Sequence, residues 1–221
     1  MRYLASALAA EGPSDQRFLK PILRRLIEDL CLQYANDLVS IAEIQEVKGR
    51  GLDIIANLKD GLKYFHLLFI HVDGRSNPEG VRAQQVEPII LELKKQIGSD
   101  QSRPTVVAVV PVRETEAWAL VDGEALRKAL GISIDDRGLG IPSRPREVEH
   151  IPDPKASLRT VFQNAIGQRR GSRRNVAAEL GKIGESIELG RLKKVPAFSR
   201  LEEDLYRALS QLGYIHCDRR P

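Results

Sequence analysis

LLFIHVDGRSN, residues 67–77, is where the chain declares its architecture. With Tyr64 and Phe65 before it, the run to Val72 is apolar enough for a central strand covered on both faces. It stops abruptly at Asp73-Gly74, ahead of the turn formers Ser76, Asn77 and Pro78. Downstream, residues 78–97 have helical periodicity, and PTVVAVVPV (104–112) is a second buried strand, rich in β-branched residues. Residues 114–130 follow as an amphipathic helix or a pair of turns, interrupted at Asp122-Gly123. Upstream, the apolar run 2–10 reads as a strand that stops at Glu11-Gly12-Pro13. After it, Phe18, Leu19, Ile22, Leu23, Leu26, Ile27 and Leu30 recur at three and four, which predicts a helix with Ser14 as its N-cap. LVSIAEIQEV (38–47) alternates as a strand, and GRGLDIIANLKDG (49–61) reads as a short helix. Strands alternating with helices predict an α/β fold with a mainly parallel sheet flanked by helices.

The character changes at Gly131. Residues 131–154 carry Pro142, Pro145, Pro152 and Pro154 among many charges and read as a long surface segment, followed by helices at 155–166 and 199–212. This predicts one unit over 1–130, with residues 131–221 as a loop and a mostly helical extension packed on it. The 221 residues, 42% hydrophobic, suffice for one substantial core. Thirty-four Lys and Arg against thirty Asp and Glu permit a polyanionic partner without requiring one. Cys31 and Cys217 have no second Cys or His at zinc-ligand spacing, His216 beside Cys217 notwithstanding, and read as thiols of a cytoplasmic protein. The apolar N-terminal stretch reaches charge within about ten residues, too short for a signal core or a span, so no membrane is expected. Gly49 and Gly51 lack the spacing and the Lys-Ser/Thr ending of a phosphate loop, which argues against an intrinsic ATPase.

In open parallel sheets ligands bind beyond the carboxyl ends of the strands. The first strand here ends at Glu11 with Asp15 four residues on, the central one at Asp73, and the next leads through VPVRETEAW to Glu114 and Glu116. A parallel sheet would gather these acids at one edge. Clustered carboxylates need protons or cations, and oxygen-only donors suit Mg²⁺ or Mn²⁺. Taken singly, each acid has a plainer reading. Asp73 makes an Asx-turn, Glu11 is a loop residue, and Glu116 sits in a helical first turn where the dipole favours it. Their joint placement at successive strand ends is what points to a metal-assisted phosphodiester site.

The motifs EGPSD (11–15), HVDG (71–74) and RETEAW (113–118) resemble those of Toprim domains, the metal-binding fold of topoisomerases, primases and some nucleases. The likeness is greatest to small stand-alone Toprim proteins of bacterial defence loci and to the nuclease half of overcoming-lysogenization-defect enzymes. It covers about residues 1–125, with a weaker echo to about 160. The resemblance implies a Toprim-like fold and a Mg²⁺- or Mn²⁺-dependent nuclease acting in antiphage defence beside an ABC- or SMC-type ATPase. It implies metal ligation by Glu11, Asp15, Asp73 and Glu116, catalysis by Glu11, Asp73 and Glu116, and a transition-state contact from Lys155 in PDPKASL. Where the family has the second acid of its Asp-x-Asp pair, this chain has Arg75, which removes a ligand and offers a phosphate clamp instead.

Two further readings follow. A catalytically degenerate module acting as a binding or regulatory subunit of the ATPase is favoured by Arg75. A phosphate-handling α/β enzyme acting on a small molecule would use the same acids. QRRGSRRN (168–175) concentrates Arg169, Arg170, Arg173 and Arg174 and reads equally as a nucleic-acid backbone contact or a solvated helix end. Arg191, Lys193 and Lys194 extend the basic character of this C-terminal third. His71 falls on the same strand face as Asp73, either to orient that carboxylate or as a hydrogen-bonded core residue. Trp118 is expected to pack its helix onto the sheet, and assembly of several copies is left open.

Overall fold

A computed structural model describes residues 1–97, 104–167 and 176–216. The first expected strand is two short ones, β1 (Arg2–Leu4) and β2 (Ser6–Ala9), and the second divides likewise into β3 (Val39–Ile41) and β4 (Gln45–Val47). β1 pairs with β3 and β2 with β4, both in parallel. The break falls at Ala5, whose N–H donates to His66 Nδ1 at 3.0 Å while its carbonyl accepts from the backbone of His66 and Leu67. His66 thus serves as a strand-breaking acceptor. The central run forms β5 (Leu67–His71), buried at every position, and the next forms β6 (Thr105–Val109). The strand order is β4-β2-β5-β6 with every neighbour parallel, and the register pairs Ala9 with Ile70 and His71 with Val109. The strands therefore end nearly level, and their following loops open on one edge.

The helices are α1 (Pro13–Tyr34), α2 (Asp53–Leu58), α3 (Pro78–Val81), α4 (Glu87–Ile97), α5 (Glu116–Ala119), α6 (Gly123–Leu130), α7 (Pro154–Gly167), α8 (Val176–Ser186), α9 (Leu189–Leu192) and α10 (Pro196–Gln211). Alternation along β5 sorts them into two layers. Leu67 and Phe69 join a core with α1, α5 to α8 and α10, whereas Leu68 and Ile70 join one with α2, α4 and the π-helical turn Arg82–Val86 that links α3 to α4. The sheet is the middle of three layers, an α/β architecture with a helical C-terminal region.

Several expectations need correction. α1 is capped by Gly12, not Ser14: Pro13 occupies its first turn, where a missing N–H costs nothing, so the cap moves one residue back. Residues 131–154 are not merely a surface segment, because Leu139, Ile141 and Val148 are buried in the larger core. Trp118 stands edge-on to Phe198 of α10, with ring centroids 5.1 Å apart. Helix α8 was not anticipated, yet it packs along α1 and completes the layer on that face. Cys217 and the four arginines of 169–174 lie outside the described residues.

The α1–α8 contact depends on a glycine. Pro21 of α1 cannot donate to the Arg17 carbonyl, and α8 lies against this stretch with Gly181 and Gly184. A methyl on Gly184 would fall on the Phe18 carbonyl oxygen and 3.0 Å from Pro21 Cγ. Helix propensity alone would favour alanine there by about 1 kcal/mol. Overpacking outweighs it, so Gly184→Ala is expected to lose roughly 2–3 kcal/mol, a fall in Tm of about 5–10 °C by differential scanning calorimetry.

Candidate functional site: a carboxylate cluster at the sheet edge

Chain crossovers run from β2 outward to β4 and then back past β2 to β5, so the switch in direction lies between β2 and β5. Glu11 follows β2, Asp15 lies in the first turn of α1, and Asp73 follows β5. Glu114 precedes α5, and Glu116 is its first residue. A cleft of about 40 Å³ reaches in beside the ends of β2 and β5, lined by Glu11, Arg50, His71 and Gln85, with room for about one water.

The five acids share one electrostatic field. Asp73 is pushed up to about 7, first by burial and then by the charges of Asp15, Glu11, Glu116 and Glu114. Glu116, 8% exposed, is also raised, chiefly by burial, although Lys155 Nζ stands 3.7 Å from its Oε1 and pulls the other way. α7 begins at Pro154 and so carries Lys155 in its first turn, beside Glu116. His71 is buried, its Nε2 2.7 Å from Thr115 Oγ1 and 3.6 Å from Asp73 Oδ1. Burial lowers His71 to about 4, so the ring is neutral at pH 7. It links the β5 and β6 loops without adding charge.

The same two loops are clamped by backbone. The Arg75 N–H donates to the Arg113 carbonyl (3.1 Å), and the Arg113 N–H donates back to the Arg75 carbonyl (2.6 Å). Both residues are left-handed, with φ of 52° and 63°, a conformation that costs a non-glycine residue about 1–2 kcal/mol. The strained pair ties the loops after β5 and β6 together beside the acidic cluster. Arg113 Nε and Glu114 Oε2 are buried, and neither has a hydrogen-bond partner among the described residues. The sequence reading singled out Arg75 and missed Arg113. Only its place next to Glu114 hinted at it, because pairing across loops 38 residues apart leaves no local pattern.

The structure thus brings Glu11, Asp15, Asp73, Glu116 and Lys155 to one edge, adds Glu114 and Arg113, and places Arg75 at its rim. As donors for an ion these are hard oxygens, which suits Mg²⁺ or Mn²⁺. Among the described residues, however, no three His, Cys, Asp or Glu side chains stand close enough together to hold an ion. The acids share a field without sharing a coordination sphere, as mutually repelling carboxylates do when nothing draws them together.

Alongside the acids lies a groove in two parts that share Lys155 and Arg159. One part, about 320 Å³, is lined by Glu114, Pro152, Asp153 and Pro154. The other, about 300 Å³, is lined by Ser14, Glu116, Leu158, Phe162 and Leu180. No described helix is long and apolar enough to cross a membrane.

Fold and site together define a three-layer α/β protein whose all-parallel central sheet carries an acid-rich opening at its carboxyl edge. The chain belongs to the family described as Domain of unknown function (DUF4276), whose match spans residues 10–206 and so takes in every acid of the site and the helices behind it. No curated protein and no solved structure matches it.

Proposed function

We propose that the chain is a divalent-metal-dependent nuclease that hydrolyses nucleic-acid phosphodiester bonds. The observation that carries this reading is the convergence of five carboxylates at one sheet edge, where burial first and then the charges of the other four raise Asp73 to about 7. That arrangement is unfavourable alone and becomes favourable with a cation. Glu11, Asp15, Asp73 and Glu116 would hold Mg²⁺ or Mn²⁺, which when bound supplies charge neutralisation at phosphate oxygens and a more acidic water. Lys155, already paired with Glu116, is placed to meet charge developing on the phosphate. Arg75 and Arg113 offer guanidinium groups for a neighbouring phosphate. His71 is a positioning residue that holds Asp73 and Thr115 in register.

The resemblance to Toprim nucleases of defence loci supports the same activity and adds an ABC- or SMC-type ATPase partner. A cytoplasmic site of action fits the buried free thiol of Cys31, which burial raises to about 11 and keeps unreactive. The second reading, a degenerate module regulating that ATPase, is favoured by Arg75 and by the unassembled ligand set.

Purified protein is expected to cut plasmid, single-stranded DNA or RNA with Mn²⁺ and not with EDTA, and Glu11→Ala is expected to reduce cutting by at least about 100-fold. Titration calorimetry separates the two readings. Mn²⁺ binding that depends on the acids, with cutting in the presence of the ATPase if not alone, supports the nuclease. Absence of such binding supports the degenerate module.

A further inference from the structure

The inner part of the groove is built unlike the rest of the site. Leu158 and Phe162 come from one face of α7, four residues apart, and Leu180 comes from α8; all three are buried. The polar share of its lining is Glu116 and Lys155, the wall shared with the carboxylates, together with Ser14 and the exposed Arg159. A hollow of about 300 Å³ is at the small end of ligand sites. Its three apolar side chains offer nothing to a phosphate or a cation. It suits a flat, weakly polar group tethered to whatever lies at the acids.

Resting on the nuclease reading for the identity of the ligand, we propose that this cavity is a base pocket. It takes one unpaired nucleobase of the strand whose phosphate lies at Glu116 and Lys155, so the substrate is single-stranded. A paired base is locked in its stack and must be extruded at a cost, whereas an unpaired one enters freely. Contact with Phe162 gives affinity that any base can use, and Arg159 and the Ser14 hydroxyl can hydrogen-bond its edge. Because the Glu116–Lys155 pair is one wall of the pocket, an occupied pocket sets the adjoining phosphate beside the acids.

The test is titration calorimetry of the full chain, in Ca²⁺ to avoid turnover, with a nucleoside 5′-monophosphate and with ribose 5-phosphate. The nucleotide is expected to bind at least about 10-fold more tightly than the sugar phosphate. Leu180→Phe, which fills the hollow, is expected to remove that difference, with folding checked by Tm. Arg159→Ala, an exposed change, is expected to weaken only the nucleotide. Equal affinities in the wild type, or a preference unaffected by both variants, overturns the base pocket. Base-dependent binding without cutting under any condition supports the pocket and overturns the nuclease reading. Cutting of duplex as fast as single strand, with no base-dependent binding, does the reverse.

Discussion

Replacing Asp73 with asparagine is expected to make the metal-free protein more stable at pH 8 while abolishing Mn²⁺-dependent cutting. The sign follows from linkage. A carboxyl held at about 7 in the fold, against an ordinary 3.8, keeps a proton that the unfolded chain has already released. Its contribution to stability is therefore present below about pH 4 and is lost as pH rises through 7. A shift of that size corresponds to at most about 4 kcal/mol. With a third of the side chain exposed, solvent screening brings it to roughly 2. Asparagine keeps the shape of the protonated acid and carries no charge, so the variant should melt about 4–8 °C higher than wild type at pH 8 and nearly level with it at pH 4. Some pH dependence should remain, because Glu116 is raised in the same direction. Mn²⁺ should raise the wild-type Tm at pH 8 and leave the variant's almost unmoved. Scanning calorimetry at the two pH values decides it. A variant no more stable than wild type at pH 8 would mean that the carboxylates do not burden the fold, and the main support for a cation site would be gone.

The strand-end acids were legible because a parallel sheet converts sequence order into spatial convergence. Once β2, β5 and β6 were recognised as apolar runs, Glu11, Asp73 and Glu116 had to share an edge, whatever loops lay between them. Lys155 was legible only through the resemblance, since nothing in PDPKASL shows that α7 starts beside Glu116. What stayed hidden depends on contacts between distant segments. The Arg75–Arg113 bridge is a backbone pairing of two loops, and left-handed arginines carry no composition signal of the kind glycine does. The His71–Thr115 contact joins residues that alternation places correctly on their own elements but cannot join. Helix α8 was obscured because its glycines weaken helix propensity, and one of them, Gly184, is there for close packing on Pro21 and Phe18. The strand breaks at Ala5 and between Ile41 and Gln45 escaped detection because the apolar run of 2–10 and the alternation read over 38–47 carry no mark at those points.

Gly74→Ala should disable the site with every acid still in place. The glycine is not required for its backbone angles, since its φ is not positive. It is required because a methyl there would fall on the Pro111 carbonyl oxygen, 2.9 Å from Pro78 Cβ and 3.1 Å from Val110 Cγ1. That same Pro111 carbonyl accepts the Gly74 N–H at 3.0 Å. The loop after β5 must therefore retreat from the loop after β6, and the adjoining Arg75–Arg113 bridge and the His71–Thr115 contact span that same gap. Loss of packing and of these hydrogen bonds is expected to cost roughly 2–3 kcal/mol. Displacement of Asp73 relative to Glu116 by about 1 Å is expected to reduce cutting and Mn²⁺ affinity about 100-fold. Gly140→Ala is the control. At φ 69° with nothing within 4 Å of the new methyl, none of the site's acids included, it pays only a backbone cost of about 1–2 kcal/mol. Activity in Gly74→Ala equal to that of the Gly140 control would show that the spacing of the two loops does not matter, and that the strained bridge serves the fold alone.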